Sequence, residues 1–206
     1  MSIIGIIHPG AMGASVGSAA NQKGHRTIWA SSGLSTESKK RARRAELFDC
    51  KTVANMADES DVIISVCPPH AAEDVASKVI NYGFTGIFVD ANAIAPERAR
   101  RIGQRLQDAG AKFVDGGIIG GPAWSAAANT KLYLSGDHAE SIANIFANTP
   151  LNADVISNRI GSASALKMVF AAYTKGTSAL LAAILAVSEK EGVRANLESQ
   201  WGEDFT

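Results

Sequence analysis

Ile3-Ile4-Gly5-Ile6-Ile7-His8-Pro9-Gly10-Ala11-Met12-Gly13 decides how this chain is read. The β-branched apolar run predicts a buried strand, and it breaks into a Gly/Pro turn. The next segment, Ala11 to Lys23, is rich in alanine and other small residues. It closes on Gly24, as helices close on a C-terminal glycine. Strand, glycine turn and helix together form the first unit of a dinucleotide-binding fold, whose helix N-terminus offers unpaired N–H groups to a pyrophosphate. Against the fingerprint G-x-G-x-x-G, Gly10 and Gly13 hold the second and third places and His8 stands at the first.

Working outward, strand-like runs recur at Ile3–Ile7, Thr27–Ala30, Val62–Val66, Gly86–Asp90, Lys112–Val114, Lys131–Leu134 and Asp154–Ile156. Helical patterns occupy Ala11–Lys23, Glu37–Ala45, Ala71–Asn81, Pro96–Asp108 and Ala139–Ala147. This alternation predicts an α/β fold, a doubly wound and mostly parallel sheet, with antiparallel or mixed strands towards its end. The pattern changes near Gly161. Ser162 to Glu191 has no proline and is rich in Ala and Leu, so it reads as one helix, roughly 45 Å long at 1.5 Å per residue. It is apolar over most of its circumference and needs a cover that the short tail cannot supply. The domain reading is therefore residues 1–157 for the α/β domain and 158–206 for the long helix and the start of a helical domain. Either a partner chain covers the helix or the natural protein continues beyond Thr206.

Composition narrows the class. With 20 Lys+Arg against 20 Asp+Glu, formal charge is balanced, and the basic residues are scattered apart from Lys39 to Arg44, so no nucleic-acid partner is expected. Cys50 and Cys67 are the only cysteines and no Cys/His spacing suits a metal, which points to a reduced, cytoplasmic compartment. The longest uncharged apolar run of the C-terminal half, Gly176 to Ser188, is too short for a bilayer, so no membrane partner is expected either.

With these segments in order, the chain resembles the β-hydroxyacid dehydrogenase superfamily, which includes 6-phosphogluconate dehydrogenase and 3-hydroxyisobutyrate dehydrogenase. The subgroup it resembles carries a C-terminal domain of unknown function. The resemblance runs from Ile3 to about Glu191. It implies a Rossmann domain, a linking helix that begins an all-helical dimerisation domain, and a homodimer. It places the cofactor turn on His8, Pro9, Gly10, Ala11, Met12 and Gly13. The nicotinamide-side loops fall on Cys67, Pro68 and Pro69 and on the segment Asp90 to Pro96, with Asn92 as its cofactor contact. The substrate-recognition segment runs from Asp115 to Gly121, with Gly120 and Gly121 at its end. The catalytic motif G-x-G-x-x-x-K-x-x-x-N falls on Gly161 to Ala171 and puts the catalytic lysine at Lys167. The motif's asparagine is replaced by Ala171, and the serine that holds a substrate carboxylate is replaced by Ile119. Both changes remove polar contacts and tell against 3-hydroxyisobutyrate as substrate.

The expected activity is hydride transfer between NADP and a small hydroxy-acid or carbonyl substrate, with Lys167 as general acid and base. Ser164, Thr174 and Ser178 share a face with Lys167 at 100° per residue, and Thr174 is expected to meet substrate. Cofactor choice is read from Trp29-Ala30-Ser31-Ser32-Gly33. No acid stands there for a ribose hydroxyl, while Ser31, Ser32 and the basic run Lys39 to Arg44 suit a 2′-phosphate, so NADP is favoured over NAD. His8 leaves two readings open, a contact to the cofactor or a turn residue that Pro9 holds extended. Trp124 likewise reads as a wall of the substrate pocket or as loop packing. Two rival functions stand beside the dehydrogenase: a catalytically silent NADP-binding sensor, and an imine reductase.

Overall fold

The computed structural model describes residues 1–204. They form two compact units, one of Met1–Lys167 and one that begins at Met168. The first is built on β1 (Ile3–Ile7), α1 (Ala11–Gln22), β2 (Arg26–Trp29), α2 (Thr36–Arg44), β3 (Phe48–Asp49), α3 (Val53–Glu59), β4 (Val62–Ser65), α4 (Ala72–Asn81), β5 (Ile87–Asp90), α5 (Pro96–Asp108), β6 (Lys112–Ile119), β7 (Thr130–Ser135), α6 (Ala139–Ile145) and β8 (Leu151–Ser157). The strands make an 8-stranded sheet in the order β3-β2-β1-β4-β5-β6-β7-β8. All neighbours run parallel except β6 and β7, the mixed end expected from the sequence.

The central strands are mostly apolar because helices cover both of their faces, and the buried polar residues Ser65, Asp90 and Asp115 lie towards their carboxyl ends. Ile4, Ile6, Ile28, Ile63, Ile64, Phe88 and Phe113 are wholly or almost wholly buried, each contributing about 1.5–3 kcal/mol through removal from water. Strand order reverses between β1 and β4, and the carboxyl ends of strands beside such a switch form a ligand crevice. Local chemistry sets the helix starts. Ser35 caps α2 by accepting from Ser38 N–H, Thr52 caps α3 by accepting from Asn55 N–H, and Pro96 sits in the first turn of α5.

The structure corrects some boundaries. β6 runs on past Val114 to Ile119, through the pair Gly116-Gly117. β3, α3 and a C-terminal helix α8 (Arg194–Asp204) carry no strong periodic signal and appear only in three dimensions.

The second unit continues α7 (Ser162–Lys190), turns at Gly192 with φ +72°, and adds α8. Arg194 ties the turn by pairing with Glu198 at 2.9 Å and Glu189 at 3.4 Å. Val169, Phe170, Tyr173, Leu180, Leu181, Ile184 and Val187 of α7 are exposed. By length and composition α7 is apolar enough to cross a membrane, with a mean hydropathy of 1.4 over its most apolar 18-residue window. The shorter run read from sequence stops at Lys175, a single charge that such a window tolerates.

Candidate functional site

The turn after β1 shows why its residues are what they are. His8 has φ +59°, so Pro9 does not hold it extended; the expectation fails because the chain must reverse tightly into α1. Gly10 N–H donates to the His8 carbonyl at 2.7 Å across this turn. Histidine is among the few side chains that enter the left-handed region readily, and the fingerprint has a glycine at this place. At Gly13 a Cβ would lie 2.6 Å from the His8 carbonyl oxygen, so only glycine lets α1 start this close to β1. At Gly10 a Cβ would meet nothing within 4 Å, and no side chain caps the helix. The N-terminus of α1 thus opens on the crevice with its N–H groups and positive dipole end uncovered.

Two cavities flank this turn. One, of about 270 Å³, is lined by His8, Ser32, Leu34, Met56, Val75 and Lys78 among others. His8 Nδ1 is buried and has no hydrogen-bond partner among the described residues. Burial, and then the nearby Lys78 ammonium, holds its imidazole below the usual pKa. Ser32 lines this cavity and Ser31 does not, so the two adjacent serines part company. None of Lys39, Lys40, Arg43 or Arg44 is among the lining residues. Lys40 pairs with Glu37 at 2.9 Å, and the Arg44 guanidinium stacks 4.3 Å over the Trp124 ring. The cation of this cavity is Lys78, which sequence reasoning missed because a helical lysine carries no mark of what it faces.

The second cavity, of about 210 Å³, brings together Met12, Cys67, Pro69, Asn92, Gly120 and Lys167. Four separate sequence motifs meet in it. Asn92 is buried, and both ends of its side chain are engaged by the protein: Oδ1 accepts from Cys67 N–H at 2.6 Å and Nδ2 donates to Ser65 Oγ at 3.1 Å. The asparagine therefore builds the Cys67 loop as well as lining the cavity. Burial raises the Cys67 thiol pKa, leaving no activated nucleophile. Pro68 is exposed beside it. Gly120 has φ +120°, and the Gly121 carbonyl accepts from Thr130 Oγ1 at 2.6 Å. The loop that follows is fastened to α1, since Ala123 N–H donates to Ser15 Oγ at 2.9 Å.

Beneath this cavity lie two carboxyls in register on adjacent strands, Asp90 and Asp115. Burial, aided by the charge of Asp115, pushes Asp90 up to about 6, while hydrogen bonds from Asn92 oppose the rise. Its Oδ2 is buried without a partner. Asp115 is fully occupied, accepting from Ser135 Oγ, Gly161 N–H, Ser164 N–H and Ser164 Oγ. Ser164 is thus committed to Asp115 rather than to the polar stripe read from sequence. Thr174, in the second unit, donates its hydroxyl to the Phe170 carbonyl at 3.1 Å.

Comparison with known proteins decides the family. The profile of the NAD binding domain of 6-phosphogluconate dehydrogenase matches residues 3–151. The chain belongs to that family. An uncharacterised 28.5 kDa protein of Methanothermus fervidus is 32% identical over 161 residues, which is 78% of this chain and 61% of the relative, so the chain spans about three fifths of that protein. A solved conserved protein of unknown function, described as similar to 3-hydroxyacid dehydrogenases, is 28% identical with a TM-score of 0.77, covering 98% of this chain and 78% of its own. The Myxococcus stipitatus imine reductase in complex with NADP+ shares the fold at 20% identity and a TM-score of 0.77, covering 98% and 70%. A variant of it was solved with NAD+. As an NAD(P)-binding domain of the 6-phosphogluconate dehydrogenase type, the chain has the parts a dinucleotide needs: an uncapped helix N-terminus, an unobstructed Gly10 and a buried unpartnered His8 Nδ1.

Proposed function

We propose that this chain is the cofactor domain and catalytic helix of an NADP-dependent oxidoreductase that acts on a small hydroxy acid or carbonyl compound. The observation that carries the reading is the cavity shared by Met12, Cys67, Asn92, Gly120 and Lys167. A bound nicotinamide supplies or accepts the hydride there. The chain supplies the rest. The N-terminus of α1 attracts the pyrophosphate, and the loops held by Asn92 shape the nicotinamide side. Val66, Ala91 and Ile118 make part of the wall apolar and limit water. Lys167 gives its proton to the carbonyl oxygen in reduction and takes it from the hydroxyl in oxidation. Gly120 and Gly121 present backbone to substrate.

For the cofactor, the support for NADP over NAD is the cavity beside His8. Its lining has Lys78, His8 and Ser32 and no carboxylate, a match for a phosphate monoester. Residues 1–157 then form the cofactor domain and 158–206 the linking helix with the start of a helical domain. The exposed apolar side chains of α7 support a homodimer.

Titrating the protein with NADPH and with NADH by nicotinamide fluorescence tests the cofactor reading; equal or tighter NADH binding overturns the preference. A panel of small hydroxy acids, aldehydes and cyclic imines followed at the absorbance of reduced nicotinamide tests the reaction. Nucleotide binding without turnover on any of them favours the silent sensor, and turnover of imines alone favours the reductase. Sedimentation tests the dimer, and a monodisperse monomer, or partition into lipid vesicles, overturns it.

A further inference from the structure

The N-terminus of α7 is capped from outside its own segment. Its flanking residue is Gly161, with φ +96° and no side chain to offer. Asp115 of β6 accepts instead, with Oδ2 3.0 Å from Gly161 N and 3.0 Å from Ser164 N. Ser135 of β7 completes the set, accepting from Ala163 N–H at 3.1 Å while donating to Asp115 at 2.9 Å. Three of the orphan N–H groups at the helix start are therefore held by the sheet. Two residues along β6 on the same face, a Cβ on Gly117 would lie 2.7 Å from the Ala163 carbonyl oxygen and 3.2 Å from Lys167 Cβ. The strand grips the helix end at one point and touches its first turns at the next.

We infer that Asp115 is a positioning residue for Lys167, fixing with Gly117 the depth and rotation at which α7 leaves the sheet. The inference rests on the reading of Lys167 as the proton-transfer group. Ser164 and Lys167 are three residues apart, so the capped turn and the lysine lie on one side of the helix. A helix free to slide or rotate by an ångström would move the ammonium out of reach of the reacting oxygen. Such misplacement costs about 10²-fold in rate even when the chemistry is untouched. A cap serving stability alone needs only a local Ser or Thr. A wholly buried carboxylate reached across 46 to 49 residues of sequence is a costlier device, and what it adds is a fixed relation between strand and helix.

The test uses the whole chain, reductively methylated with ¹³C-formaldehyde so that each lysine reports its surroundings by NMR. The Lys167 signal is assigned by its loss in Lys167→Arg. In Asp115→Ala that signal should shift and broaden while other lysines keep theirs. Turnover of the best substrate in the panel should fall about 10–100-fold, with the NADPH dissociation constant within about twofold of wild type. Asp115→Asn should restore most of both, because its carbonyl can accept the same N–H groups and its amide can donate to Ser164. Gly117→Ala, which adds bulk without removing a polar group, should act as Asp115→Ala does. An unmoved Lys167 signal in Asp115→Ala, with only a lowered melting temperature, overturns the inference. So does failure of Asp115→Asn to recover the signal. Should Asp115→Ala not fold, an unmoved signal in Gly117→Ala overturns it instead. If the signal behaves as expected but wild type turns over nothing, the positioning stands and the catalytic reading of Lys167 falls.

Discussion

The N-termini of α1 and α7 are treated in opposite ways. α1 begins behind Gly10 with no side-chain cap and open space where a Cβ would be. α7 begins under Asp115 and Ser135, with the N–H groups of Gly161, Ala163 and Ser164 all held. Both ends carry the same partial positive charge. The protein leaves the first unsatisfied, which suits an anionic ligand, and neutralises the second with its own carboxylate, which suits a fixed scaffold. The contrast teaches that a helix N-terminus becomes a binding site only where the sequence withholds a cap.

The largest expected effect lies on the capped helix. Lys167→Ala should lower turnover by about 10²–10⁴, the usual contribution of a positioned acid or base, while leaving NADPH affinity nearly unchanged. Lys167→Arg should be almost as damaging, since a guanidinium does not release its proton at working pH. Steady-state rates beside nucleotide titrations check both. An arginine variant that keeps most of the rate reduces Lys167 to a charge that holds an anionic substrate. On the open helix, Gly13→Ala drives a Cβ to within 2.6 Å of the His8 carbonyl oxygen, backbone that cannot move without shifting α1. Dinucleotide binding should weaken at least about tenfold and stability should fall by about 1–3 kcal/mol. Unchanged binding would break the claim that the tight turn makes the site.

Much of this contrast was legible in the sequence, and the reasons differ between its halves. α5 is bounded as read, Pro96–Asp108, because proline opens it and its apolar stripe is regular. The turn at Gly10 and Gly13 follows from local motif spacing, while Lys167 is singled out only by the family resemblance. The strand-like run from Lys112 stops at Val114 in sequence, because Asp115-Gly116-Gly117 breaks the apolar pattern. In the fold Gly117 is strand, left without a side chain so that Ala163 can approach. The cap of α7 depends on partners 46 and 49 residues apart, and nothing local in Asp115 announces them. Arg44 shows the same limit from the other side. It sits in a basic run that suits a phosphate, yet its guanidinium lies against Trp124.

A smaller effect sharpens the ligand half of the comparison. If the open end of α1 receives the pyrophosphate and the neighbouring cavity the 2′-phosphate, then Lys78 distinguishes the two nicotinamide nucleotides. Lys78→Met keeps the apolar stem against Val75 and Met56 and removes the charge. NADPH should bind about tenfold more weakly, a loss of about 1.4 kcal/mol, while NADH stays within about twofold. The NADPH deficit should narrow as salt is raised, because a charge contact is being lost. Isothermal titration of both nucleotides at two salt concentrations checks this. An equal loss for both would assign Lys78 to packing of the adenosine pocket rather than to choice of cofactor.

A pH-dependent effect concerns Asp90, which lies on β5 in register with Asp115 of β6. Burial first, and then the charge of Asp115, raises it to about 6 from its ordinary 3.8. A carboxyl whose folded pKa is raised binds its proton more tightly in the folded than in the unfolded chain. Its contribution is therefore fully present below 3.8 and is lost as pH rises through about 6. The gap corresponds to at most about 3 kcal/mol, or several degrees in melting temperature for a domain of this size. Asp90→Asn resembles the protonated acid at every pH. Its carbonyl can still accept from Asn92 N–H, and its amide replaces the unpartnered Oδ2. The variant should therefore melt close to wild type near pH 4 and gain on it steadily up to pH 7, levelling off above. Thermal melts by circular dichroism across that range check the sign. A difference that stays constant with pH would mean that Asp90 is ionised in the folded protein throughout, and that the sheet tolerates a second buried charge beside Asp115.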